Sequence, residues 1–184
     1  DSKIANKTRH IGHGMLRFAS GKMSSRKGNV ITGESLIVDV EKMVYEKIKD
    51  RQLSDAEKKE IMGQVAVGAI KYSILRQSPG KDIIFDFEKS LSFEGDSGPY
   101  LQYAHARACS ILQKAKEAGI APSLDRADEA GEIEKMIAKF SDVAERAEKD
   151  FAPQLIVTYL TELAGSFNSY YANTPIVDAE NPSS

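Results

Sequence analysis

An all-α fold, a helical bundle set behind a basic loop, is predicted by three features of this 184-residue sequence. From residue 34 onward, apolar residues recur nearly everywhere at three- and four-residue steps, the period of a helix with one buried face. Helix starts and stops fall where caps, prolines and glycines should put them. No β-rich region, internal repeat or low-complexity tract interrupts the pattern.

The first helix follows Thr32, a plausible N-cap, and carries Leu36, Ile37, Val40, Met43, Val44 and Ile48 on its inner side. Ser54 and Glu57 have the spacing of a capping box, in which each side chain satisfies a backbone N–H at the helix start. That second helix runs through Ile61, Val65, Ala69, Tyr72 and Ile74 to the breaker "SPG" at 78–80. Residues 82–87 read as extended and 88–98 as an ordered loop. Pro99 is tolerated in a first turn because its missing N–H would be unpaired there. A third helix runs from there to a stop at Gly119, roughly 30 Å at ~1.5 Å per residue. After the connector "GIAPSLDRAD", one helix is expected through Ile133, Met136, Ile137, Phe140, Val143, Ala144 and Ala147. Pro153 starts a last one, with Leu155, Ile156, Tyr159, Leu160, Leu163, Ala164 and Phe167 inward, before a polar tail.

At this length the chain can bury one ordinary core, or a core with an appendage. No run of 18 apolar residues or secretory signal is read, so a cytoplasmic location is expected. Cys109 is the single cysteine, which rules out an internal disulfide and a cysteine-based zinc cage. Net charge is only −2, but residues 1–31 carry seven Lys and Arg against Asp1 alone, a net of +6 on an otherwise acidic chain. A basic head of this kind suits phosphate. The acidic residues of 129–150 suit a solvated helix face, which would repel phosphate.

"GKMSSRKGNV" (21–30) fails as a Walker loop, because neither the spacing of Gly21 and Gly28 nor the residue after them fits. From Lys22 to Val30 it instead matches KMSKSKGNV at seven of nine positions, differing at Ser25 and Arg26. The segment thereby resembles the phosphate loop of class I aminoacyl-tRNA synthetases. In amino-acid activation a carboxylate attacks the α-phosphorus of ATP while pyrophosphate leaves, so charge accumulates on the triphosphate. Cations on a small-residue loop can close over it, and removing one such group costs roughly 3 kcal/mol of barrier. The resemblance makes Lys22, Met23, Ser24, Ser25, Arg26 and Lys27 the ATP-binding residues, with Lys22 and Lys27 as catalytic phosphate ligands. The family's second lysine aligns with Ser25, so Arg26, Lys27 or a group elsewhere must replace that cation.

"HIGH" (10–13) also has a counterpart in that family, but only eight residues separate His13 from Lys22. No half of a nucleotide-binding fold fits in that space. His10–His13 therefore reads as chain leading into the phosphate loop. As a zinc pair His10 and His13 lack partners, and no metal site is expected.

"FDFEKSLSFEGDSGPYLQYAHAR" (85–107), "VAVGAIKYSILR" (65–76) and "FNSYYANTPIV" (167–177) resemble the arginyl-tRNA synthetases, and the likeness runs from about residue 10 to 177. It implies a C-terminal portion of a larger enzyme, with 1–33 ending the catalytic domain, 34–80 connecting, and 81–184 forming a C-terminally incomplete anticodon-binding bundle. It further implies ATP, magnesium, arginine and tRNA as reactants and partners of a monomeric parent, with the fragment inactive alone and no membrane involved.

Tyr100, Tyr103 and Arg107 share one helix face at i, i+3 and i+7, two aromatic platforms and a cation of the kind that stacks unpaired bases. The same pattern suits a tyrosine-rich seam with Arg107 neutralising a buried acid; the resemblance turns these side chains toward the anticodon loop. Tyr170 and Tyr171 receive a similar reading, and Asn168 either reads a base edge or caps the helix end. His105 is expected to bond a partner beside the loop at 94–98, and Cys109 to sit in the core. The rivals are another class I synthetase, cysteinyl or methionyl, and a non-catalytic helical RNA-binding or interaction module.

Overall fold

A computed structural model of the chain describes residues 2–19, 32–121, 130–174, 176 and 177. The whole ATP-loop assignment, Lys22, Met23, Ser24, Ser25, Arg26 and Lys27, lies outside the described residues. Helices α1 (Ser2–Ala5), α2 (Gly33–Ile48), α3 (Asp55–Leu75), α4 (Phe87–Ser90), α5 (Gly98–Glu117), α6 (Glu132–Ala138), α7 (Phe140–Asp150) and α8 (Gln154–Asn173) account for most of it. Two three-residue strands, β1 (Leu16–Phe18) and β2 (Ile83–Phe85), pair in parallel.

The sequence specifies its helix starts closely. The Thr32 side chain accepts from the Ser35 N–H at 3.1 Å and opens α2. At α3 the Ser54 hydroxyl accepts from the Glu57 N–H while the Glu57 carboxylate accepts from the Ser54 N–H, at 3.3 and 2.8 Å. Ser97 caps α5, with Pro99 in the first turn.

α2 and α3 lie against each other and bury Leu36, Val40, Val44, Ala66 and Ala69 in a cluster with Phe18, Phe85 and Leu91. Burial of these side chains is the main stabilising term, about 25 cal/mol per Å² of apolar surface. The strand pair belongs to the same core. Phe18 and Phe85 are register partners, and Phe87 stacks on Phe18 at 5.6 Å and meets Phe85 edge-on at 5.1 Å. Gly14 is required there, since a Cβ on it would collide with the Lys81 backbone.

The second half is a bundle of α5 to α8 joined to the first through α3, which packs on α5 and touches α8. Gly98 lets the start of α5 approach α3 at Gly68, whose carbonyl would clash with any Cβ at 98. Tyr72 locks the junction. Its hydroxyl lies 2.9 Å from Thr161 Oγ1 on α8, and Asp96 pairs with Arg76 at 3.0 Å.

Four local expectations are corrected. Residues 88–98 are not loop throughout, because Asp86 accepts from the Lys89 N–H and starts the single turn α4. The helix expected across 133–147 is broken at Lys139: the Met136 carbonyl takes the Lys139 N–H and the Tyr159 hydroxyl at 3.0 and 3.1 Å, so one turn is tightened and the axis restarts at Phe140. Cys109 is exposed, with Sγ 3.5 Å from His105 Nε2. His105, likewise exposed, thus bonds within its own helix rather than beside the 94–98 loop.

Candidate nucleic-acid interface

α5 and α8 pack side by side, and their contact assembles four of the six residues singled out for tRNA. Arg107 is the centre. One guanidinium nitrogen donates to Asn168 Oδ1 at 2.8 Å and the other to the Tyr103 hydroxyl at 2.7 Å. Its carbon stands 4.2 Å from the Tyr103 ring centroid and 4.8 Å from that of Tyr171. Helical spacing explains the geometry, with Tyr103 and Arg107 one turn apart on α5 and Asn168 and Tyr171 on successive turns of α8.

Arg107 therefore has neutral partners in place of the buried acid that a purely structural seam would require. Such contacts hold the guanidinium in place, and among the described residues no carboxylate pairs with it; each ring contact is worth about 0.5–1 kcal/mol at an exposed site. Tyr103 is 42% exposed, so part of its ring is open to a ligand beside the half-buried Arg107.

Tyr100 and Tyr170 stand apart from this group. Tyr100 is half-buried, its N–H bonds Ser97 Oγ, and its hydroxyl reaches the α8 backbone at Gly165, so it packs the seam. Tyr170 is 47% exposed and lies outside the cluster. Phe93 is an aromatic that sequence reasoning missed. It is exposed on the loop before α5 with its ring edge-on to Tyr103 at 6.4 Å, and the only signal was an apolar residue in a polar loop.

The basic head is partly committed within the protein. Arg17 pairs with Asp82 at 2.7 Å, and Arg9 lies 4.7 Å above the Phe151 ring. His10 and His13 are exposed and bring no metal partner with them; among the described residues no group of three or more His, Cys, Asp and Glu converges.

Comparison with known proteins assigns both halves. Residues 2–87 match the family described as tRNA synthetases class I (R), catalytic domain, and residues 101–184 match the DALR anticodon binding domain. The chain is 43% identical over 90% of its length to an arginine–tRNA ligase of Methanospirillum hungatei and 40% identical over 93% to one of Thermococcus kodakarensis. The chain belongs to the arginyl-tRNA synthetases. It spans 30% and 29% of the length of those two relatives. The arginyl-tRNA synthetase of Thermus thermophilus has the same fold, with a TM-score of 0.76 and 29% identity over 94% of this chain and 29% of that one. That of Plasmodium falciparum, 20% identical, aligns with a TM-score of 0.70 over 98% of this chain and 33% of that one. Within the arginyl-tRNA synthetase family the α5–α8 cluster falls in the anticodon-binding match. The relatives also decide between the rival class I enzymes, since they are arginine–tRNA ligases rather than cysteinyl or methionyl enzymes.

Proposed function

We propose that the protein containing this chain is an arginine–tRNA ligase, and that Tyr103, Arg107, Asn168 and Tyr171 bind the anticodon loop of an arginine-accepting tRNA. The observation that carries this reading is the aromatic-flanked Arg107, bonded to neutral partners, on the segment that matches an anticodon-binding domain. Unpaired bases stack on tyrosine faces, and the guanidinium adds a donor set suited to phosphate or base edges. Tyr100, supporting the seam, and the exposed Tyr170 border the same surface.

In the first step the arginine carboxylate attacks the α-phosphorus of ATP, forming arginyl-adenylate and releasing pyrophosphate. In the second, a terminal ribose hydroxyl of the tRNA attacks the adenylate carbonyl and AMP leaves. Lys22 and Lys27 would balance charge on the triphosphate, with Met23, Ser24, Ser25 and Arg26 completing the ATP contact; the likeness of 22–30 to the family's phosphate loop supports this. Magnesium is assigned to the phosphates of ATP. We assign 1–33 to the edge of the catalytic domain, 34–80 to the connection and 81–184 to tRNA binding, in keeping with α3 packing against both halves. A cytoplasmic monomer is the accompanying expectation; no described helix is long and apolar enough to cross a membrane.

The full gene product should exchange pyrophosphate with ATP in an arginine-dependent, tRNA-supported way and should not respond to cysteine or methionine. Exchange absent with every amino acid, alongside intact tRNA binding, would instead favour a non-catalytic RNA-binding module.

A further inference from the structure

Asn168 is more than a neighbour of Arg107. A carboxamide has one acceptor oxygen and one donor NH2, and a free one exchanges them by rotating half a turn. Arginine has only donors. The group facing its nitrogen at 2.8 Å must therefore be Asn168 Oδ1, which leaves the NH2 end turned away from the guanidinium. Arg107 cannot easily release it, because its other arm is held by the Tyr103 hydroxyl and its plane lies over two tyrosine rings. The alternative role for Asn168, closing the helix end, is taken by Asn173, the last residue of α8, whose side chain donates to the Ser169 carbonyl at 2.8 Å.

We propose that Arg107 is a positioning residue that locks the Asn168 amide as a donor, so that Asn168 selects an anticodon-loop base presenting an acceptor and disfavours one presenting an amine at the same place. This rests on the anticodon-interface reading above and specifies how that interface tells nucleotides apart. An unlocked asparagine would offer either end and discriminate little; the tyrosine faces, which stack any base, cannot supply the distinction.

The test measures binding of the full gene product to arginine-accepting tRNA, and to transcripts in which each anticodon-loop nucleotide is exchanged within its ring class. Uracil in place of cytosine, or hypoxanthine (inosine) in place of adenine, puts a carbonyl where an amine stood at nearly constant shape, and the reverse exchanges do the opposite. Wild-type protein should show one position where such an exchange weakens binding roughly 10-fold or more. Asn168→Asp keeps an acceptor for Arg107 but removes the donor, and should abolish or invert that preference. Arg107→Met removes the lock and should flatten the preference as well, whereas Arg107→Lys, which keeps one donor but loses the fork and the ring stacking, should retain more of it than Arg107→Met does. Thermal melts of all three accompany the binding data, and if Asn168→Asp is unstable the Met and Lys pair decides. A preference that survives both Asn168→Asp and Arg107→Met overturns the proposal even if overall affinity falls, because a phosphate-binding or structural Arg107 would give that result. If Tyr103→Ala and Tyr171→Ala also leave every affinity unchanged, the interface reading itself has failed.

Discussion

The tyrosines around Arg107 do unequal work, and their place relative to the guanidinium says which should matter to a ligand. Tyr103 and Tyr171 flank the guanidinium, whereas Tyr100 fills the α5–α8 seam. Tyr103→Ala or Tyr171→Ala should weaken tRNA binding by about 1–3 kcal/mol each if a base stacks there. Tyr103→Phe keeps the ring, loses only the hydroxyl that accepts from Arg107, and should cost less. Titrating labelled tRNA into each variant ranks them, and equal losses for Phe and Ala would mean that the hydroxyl, not the face, is the binding element. The i, i+4 relation of Tyr103 and Arg107 was legible in the sequence because both belong to one helix. Their meeting with Asn168 and Tyr171 was not, since nothing local specifies which turns of α8 lie against α5. Cys109 was misplaced for a related reason: the small residues at 104 and 108 make a narrow inner stripe, and a position one residue beyond 108 turns about 100° away from it.

Among the elements, α3 shows how much a cap and two glycines can be made to say. Glu57 is held below the ordinary glutamate range, first by the Ser54 hydroxyl and then by the Ser54 N–H. Because its folded value lies below its unfolded one, the contribution is full above the unfolded value near 4.3 and fades as pH falls through the folded value. Ser54→Ala should cost about 1 kcal/mol at neutral pH and less in acid, where the wild-type box is already weakened. Melts of both proteins at pH 7 and pH 3 should therefore show a gap that narrows at the lower pH without closing, because the Ser54 hydroxyl still accepts from the Glu57 N–H there. Glycines divide by what a methyl group would meet. Gly98→Ala drives a Cβ into the Gly68 carbonyl and the Ala69 nitrogen and should destabilise by about 1–3 kcal/mol, while Gly63→Ala meets only a Glu41 side-chain oxygen at 3.7 Å and should stabilise α3 by about 0.5–1 kcal/mol. Urea denaturation reads both signs. The capping box could be seen in the sequence; the break at Lys139 could not, because it depends on a hydroxyl from Tyr159, twenty residues away on another helix.

At the scale of the whole molecule, the feature least visible in the sequence is the parallel pairing of Leu16–Phe18 with Ile83–Phe85 across the intervening α2 and α3. Three residues carry too little pattern to be read as a strand, and a ladder this short is marginal by itself. Its stability must come from Phe85, which is fully buried, meets Phe18 and Phe87 at ring distances of 6.2 and 5.1 Å, and accepts the Ala19 N–H at its carbonyl. Phe85→Ala should cost about 3–5 kcal/mol. The loss should fall unevenly. Amide exchange should accelerate first at Ala19 and Ile83, whose N–H groups bridge the two strands' ends, and at Val40 and Val44 in the shared core. The α5–α8 contact, held by Arg107 and Asn168 rather than by these aromatics, should keep its protection until global unfolding. Loss of protection at Arg107 in step with Ile83 would show instead that α3, through Tyr72, Thr161 and Asp96, binds the strand core and the α5–α8 bundle into a single cooperative unit.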